Sequence, residues 1–262
     1  MAGVLSGPEA FAFPAFFFRF RAMKLDEAAE PLTVTTRLVR MLSAAFCVVA
    51  LGATSTTSMA AELTLKVADK APPEALDAAI RAKLQSKAVQ LVDGAKPVYE
   101  FWFCNEIPLQ SKPASVAKAL DSLKETTLLG AASVPASKRD YRDDELPSGI
   151  YTMRFALQPQ DGDHLGTAEY PYFAVLVAAK LDTKPDGITE YKSLVKTSAK
   201  AASGDHPMII SLRPASSEGG DLPKLNEPAP DHKSVRVQVP AKAGDEKTSL
   251  VFELVYEGKG KK

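Results

Sequence analysis

The chain holds three histidines, and each directly follows an aspartate: Asp163-His164, Asp205-His206 and Asp231-His232. Imidazole nitrogens and carboxylate oxygens are the groups from which divalent-metal sites are built. The densest group is Asp161-Gly162-Asp163-His164, inside the stretch 158–167 that follows a strongly apolar segment. His206 stands just before another apolar run, Met208–Leu212. If both loops reach one end of a sheet, Asp161, Asp163, His164 and His206 could hold a divalent metal. Against this, aspartate and glycine make turns on their own account, and neighbouring Asp and His side chains point in different directions. A calcium loop of the helix–loop–helix kind is excluded: counting from Asp161, Gly166 stands sixth as required, but Tyr172 is twelfth, where a bidentate glutamate is needed.

Other chemistry is thinner. The run Arg139-Asp140-Tyr141-Arg142-Asp143-Asp144-Glu145 alternates in sign and reads as a self-neutralising solvated loop. Its carboxylates, Asp143 and Glu145, lack the separation across a cleft that glycoside hydrolysis requires. Ser115-Val116-Ala117-Lys118 and Ser193-Leu194-Val195-Lys196 spell S-x-x-K, and Lys247-Thr248-Ser249 approaches K-T-G, but no S-D-N accompanies them. G-x-S-x-G, G-x-G-x-x-G, P-loop and haem-attachment patterns are missing too. The expectation is therefore a non-catalytic chain with no cofactor, the divalent metal being the alternative. Among aromatic residues, Tyr99, Phe101 and Phe103 share a strand face and read as core. Tyr170-Pro171-Tyr172, beside the His164 loop, is the better candidate for an exposed ligand-binding rim.

The elements that must position these groups are mostly strands. Leu63, Leu65 and Val67 alternate with polar residues, and Ala88–Val92 and Val98–Phe103 flank the turn dipeptide Asp93-Gly94. After Pro147-Ser148-Gly149, the stretch 150–157 puts Tyr151, Met153, Phe155 and Leu157 on one face, with Thr152 and Arg154 on the other. Tyr172–Ala178 reads as a central strand covered on both sides. A last hairpin joins Val235–Val239 to Leu250–Tyr256 through 240–247, and Gly258–Lys262 is expected to be a solvated tail. Helical spacing occurs at Pro72–Leu84, Ser115–Leu123 and Thr189–Ser198, with Gly204 as a stop. About nine strands and two or three short helices predict a mainly β fold, an antiparallel β-sandwich of immunoglobulin-like or related kind. The proline-rich stretch 213–232 is expected to be a long loop.

Residues 41–53, MLSAAFCVVALGA, carry no charge; Arg37 and Arg40 precede them and Ser58-Met59-Ala60 follows. A basic flank, a short apolar run and a small-x-small site describe a secretory signal peptide cleaved after Ala60, and the run is too short to span a bilayer. The chain then divides into an extension (1–40), a signal peptide (41–60) and a single sandwich domain (61–262), exported to the periplasm or secreted, with no stable membrane anchor after cleavage. The extension packs six of the twelve phenylalanines between Phe11 and Phe20. It reads as a start placed too far upstream, with Met23 and Met41 as alternative starts. The competing reading is an aromatic membrane-surface segment.

Composition agrees with a folded soluble domain: 45% apolar and 24% charged, with 32 basic residues balancing 32 acidic ones. That balance excludes the broad basic field that nucleic-acid binding needs. Cleavage removes Cys47, leaving Cys104 as the single thiol, flanked by Phe101, Trp102 and Phe103 and so expected to be buried and unreactive. The phrases Tyr99-Glu100-Phe101-Trp102, 147–154 (PSGIYTMR) and 158–167 (QPQDGDHLGT) resemble uncharacterised exported bacterial proteins of β-rich architecture. The resemblance covers roughly 88–212 and implies export without implying an activity. Two functions are open at this point: a binding or assembly module of the cell envelope with an unknown protein or glycan partner, and a metal-binding or metal-dependent hydrolytic site on a sandwich loop.

Overall fold

Two tight turns each set a hairpin. Gly94-Ala95, with Gly94 at φ 58°, joins β2 (Lys87–Asp93) to β3 (Lys96–Phe103). Gly244-Asp245, with Gly244 at φ 59°, joins β12 (His232–Ala243) to β13 (Glu246–Glu257). The second hairpin has a much shorter connection than the expected 240–247. Pro240 stays within β12 because it falls between two flanking partners of that strand, where one side has no ladder to break.

The computed structural model describes residues 63–162, 164–202, 204–216 and 220–261. The expected extension (1–40) and signal peptide (41–60), and Asp163, lie outside the described residues. The remaining strands are β1 (Thr64–Asp69), β4 (Ile107–Leu109), β5 (Leu128–Val134), β6 (Lys138–Arg139), β7 (Glu145–Leu146), β8 (Gly149–Leu157), β9 (Tyr172–Ala178), β10 (Met208–Pro214) and β11 (Lys224–Ala229). One sheet runs β1-β2-β3-β5-β8-β9-β10-β13-β12-β11, with β4 added parallel to β12 and β6–β7 as a separate small hairpin. The mainly β, antiparallel expectation holds. The sheet is continuous, and it curls until its two halves face each other.

Ring contacts measure the curl. In the sheet order β13 is five places from β3, about 24 Å in a flat sheet at ~4.8 Å per strand. Yet Phe103 and Phe252 have ring centroids 6.1 Å apart, and Tyr99 and Tyr256 6.2 Å. The inward side chains of β3, β8, β9, β12 and β13 fill the space between, including Phe101, Phe155 and Phe252 at zero exposure. Burial of each such ring contributes about 1.5–3 kcal/mol. The ends are sewn by Ile107–Leu109 against Ala241–Ala243 and by Lys112 pairing with Glu246, 134 positions on.

The outer face of β8, β9 and β10 is covered as well. Helix α2 (Tyr191–Ala199) lays Leu194 on Phe173, Val175, Val177 and Ile209, and Ser198 Oγ donates to Leu176 O. This is the one expected helix that forms at full length. The Pro72–Leu84 pattern yields a single turn, α1 (Ala78–Arg81), capped by Asp77, because the chain beyond it is drawn into pairing with the end of β3 through Leu84 and Cys104. Ser115–Leu123 forms two 3-10 turns.

Three further expectations are corrected. The stretch 213–232 holds an edge strand, β11, since an edge tolerates Pro228. The acidic run is not all solvated: Asp140 is buried, its Oδ1 accepting from the N–H groups of Arg142 and Asp144 and its Oδ2 from Ile209 N–H. The C-terminal tail is docked: Gly260 N–H donates to Tyr141 O at 2.9 Å and Lys261 N–H to Thr167 O at 2.8 Å. A Cβ at residue 260 would lie 2.5 Å from Thr167 O, so the strap lies where only glycine fits.

Candidate binding cleft

The loop 158–171 connects β8 to β9 and is braced from within. Gln158 Nε2 donates to His164 O at 3.0 Å and to Thr167 Oγ1 at 2.7 Å. Asp161 Oδ1 accepts from His164 N–H and lies 2.5 Å from His164 Nδ1, so these two candidate ligands engage each other. Tyr170 is half-buried at the rim, with the Arg213 guanidinium 4.9 Å above its ring. Tyr172 is no rim residue: its ring stacks on Phe155 at 6.2 Å and its hydroxyl donates to Asp121. Burial, and then the Asp121 carboxylate, push the Tyr172 phenol up to about 12.

His206 is exposed and lies at the other end of the same strand pair. It precedes Met208, which stands opposite Leu176, whereas the 158–171 loop enters β9 at Tyr172, opposite Leu212. Four residues of extended chain separate those levels, about 13 Å at ~3.3 Å each. The structure therefore does not gather Asp161, His164 and His206 round one point, because the antiparallel register sends the two loops to opposite ends. Among the described residues no group of three or more His, Cys, Asp or Glu side chains is placed to hold a metal.

A different place is built as a pocket. A cleft of about 440 Å³ opens between three segments, 104–110, 124–128 and 185–189. Leu109, Leu128 and Ile188 are its buried apolar lining, and Lys83, Glu106, Lys124 and Asp186 stand exposed round it. Cys104 lines it too, but its thiol donates to Leu128 O, and burial pushes it up to about 12, so it stays protonated at neutral pH.

Arg154 ties two walls of this cleft together. Its side chain and that of Asp182 are 0% and 1% exposed, with Nε 2.7 Å from Oδ2 and Nη2 2.9 Å from Oδ1. Nη1 donates to Thr126 O on one wall, and Nη2 donates to Lys184 O next to the other. Thr152 Oγ1 adds a 2.5 Å bond to Asp182 Oδ2. The carbonyl held by Arg154 belongs to a residue in the left-handed region: Thr126 has φ 70°, an outlier for a β-branched side chain, and it lines the cleft. Such conformations persist only where surrounding bonds over-determine them, and they cluster at ligand sites.

The sequence reading missed this cluster. Alternation places Thr152 and Arg154 on the face opposite Tyr151, Met153 and Phe155, but Asp182 arrives from 28 positions downstream of Arg154 and nothing local announces it. The available signal was an arginine in the middle of the strongest strand, a position that demands a partner. A second hollow follows one face of α2, past Tyr191, Lys192, Lys196 and Lys200. It is a shallow helix side and joins no separate walls. Compared with protein-family models, curated proteins and solved structures, the chain matches none.

Proposed function

We propose that this chain is an exported, non-catalytic binding module of the cell envelope, periplasmic or secreted, and that its ligand sits in the cleft between 104–110, 124–128 and 185–189. The supporting observation is the buried Arg154, whose guanidinium fixes the Thr126 wall and the Lys184 wall to one anion, Asp182. Walls held this way lose little freedom when a ligand enters, the condition under which a small site binds well. The chemistry within reach also favours binding over turnover. The thiol is held protonated and the guanidinium is committed to Asp182 and two carbonyls.

Two measurements test the two halves of this reading. Expressed with its leader in a bacterial host, the protein should be recovered from the periplasm or medium with Ala61 as its first residue. An unprocessed cytoplasmic product overturns export. Ligand-observed NMR of the exported protein with a mixed fragment set should yield binders that Thr189→Trp, which fills the cleft from its exposed rim, displaces. Binders indifferent to that change move the site elsewhere.

A further inference from the structure

Six charged side chains line the cleft: Arg154 is committed to Asp182 and Glu125 accepts from Leu157 N–H, while two cations and two anions at the rim, Lys83, Lys124, Glu106 and Asp186, are unengaged. Lys83 and Glu106 stand on one side, Lys124 and Asp186 on the two others. Among the described residues no Lys–carboxylate pair of this set comes within 4.0 Å, and none of the four side chains makes a hydrogen bond. Opposite charges left apart round the exposed rim of a cleft create a field that a ligand carrying both signs satisfies at once. A simple anion would meet Glu106 and Asp186 unfavourably, and a simple cation would meet Lys83 and Lys124. Sugar rings and nucleobases are recognised by stacking on aromatic faces, and the cleft lining contains no Phe, Tyr, Trp or His. Its apolar part is aliphatic, formed by Leu109, Leu128 and Ile188 between the charged rims.

We infer that the cleft takes a small aliphatic zwitterion, with an ammonium group meeting the Glu106 and Asp186 carboxylates, a carboxylate meeting Lys83 and Lys124, and an alkyl side chain on the leucine and isoleucine surface. This rests on the cleft being the ligand site and narrows what enters it. A free amino acid and a short peptide with free termini share this chemistry.

The test is titration calorimetry on the exported, processed protein with four probes: leucine, Ala-Leu-Ala, its N-acetylated and C-amidated form, and maltotriose. One or both zwitterions should bind, the tighter of the two telling amino acid from peptide. Blocking both termini should weaken the peptide about tenfold, the scale of two partly exposed charge pairs. The double change Lys124→Gln with Asp186→Asn, both at exposed positions, should cost the zwitterion a similar factor and leave the blocked peptide unchanged. Equal affinity for free and blocked peptides, preference for maltotriose, or no binding of either zwitterion overturns the inference. A neutral fragment displaced by Thr189→Trp would sink the zwitterion and leave the cleft standing. A fragment screen with no binder in the cleft would remove both.

Discussion

Asp182 receives both the Nε and the Nη2 hydrogens of Arg154, side-on, in a place where neither side chain touches water. A pair of this kind costs desolvation that its attraction roughly repays, but removing one member strands a buried charge. Asp182→Ala should therefore lower the unfolding free energy by about 3–5 kcal/mol, read by urea denaturation. Arg154→Met combined with Asp182→Leu should lose less than the single change, although Thr126 O and Lys184 O forfeit their donor. A single variant as stable as the parent would show that the pair does not hold the cleft walls.

Asp140 makes stability depend on pH in a particular direction. Burial raises its carboxyl above the ordinary value, outweighing the N–H groups of Ile209, Arg142 and Asp144 that oppose the shift. A raised acid binds protons more readily folded than unfolded, so its contribution to stability grows as pH falls towards the ordinary carboxylate value. Asp140→Asn removes that response and turns an amide N–H toward a backbone donor. The variant should be less stable throughout, and its deficit should widen on acidification from neutral pH. A constant deficit across that window would contradict the assignment.

Cys104 should be silent to thiol reagents. With its Sγ bonded to Leu128 O and its ionisation pushed up to about 12 by burial, iodoacetamide at neutral pH should label the native protein only as fast as it unfolds. Mass spectrometry against a urea-unfolded control measures this directly. Rapid labelling in native buffer would mean that the cleft opens as far as its cysteine.

The C-terminal strap offers a test at single amides. Gly260→Ala places a methyl against Thr167 O, so the 260 and 261 N–H groups should lose their partners and exchange with deuterium at the rate of free chain. The amides of the β12–β13 ladder, internal to the sheet, should keep the protection of the parent. Unchanged exchange at 260 and 261 would place the tail in some other arrangement.

Local signals carried much of the fold and little of the site. Asp93-Gly94 marked the β2–β3 hairpin, the Thr189–Ser198 spacing marked α2, and the alternation at Tyr99, Phe101 and Phe103 marked a buried face, because turns, helices and strand faces are governed by residues a few positions apart. What failed was whatever depends on distant chain. The edge strand Lys224–Ala229 exists because β12 lies beside it, and Pro228 within it hid it. Thr152 and Arg154 show in sequence only as the polar side of a strand, and the buried partner that the structure gives them, Asp182, comes from a distant segment. His164 and His206 look like partners until the antiparallel register of β9 and β10 separates them. The cleft is assembled from three segments spread between Lys83 and Thr189, a combination no local spacing records.

The seam between Ile107–Leu109 and Ala241–Ala243 also sets an order of events in folding. Most neighbours in the sheet are close in sequence and can pair as the chain emerges, but the seam and the Lys112–Glu246 contact must wait for nearly the whole chain. Closing so long a loop is entropically costly, and folds dominated by such contacts are slow. Until β13 arrives with Phe252 and Tyr256, the aromatic row of Tyr99, Phe101 and Phe103 lacks the rings that face Phe103 and Tyr99 from the other half of the sheet. A nascent chain in that state presents an apolar strand face of the sort that chaperones bind and that aggregation recruits, so the yield of this protein will be decided by how quickly its last thirty residues reach its first half.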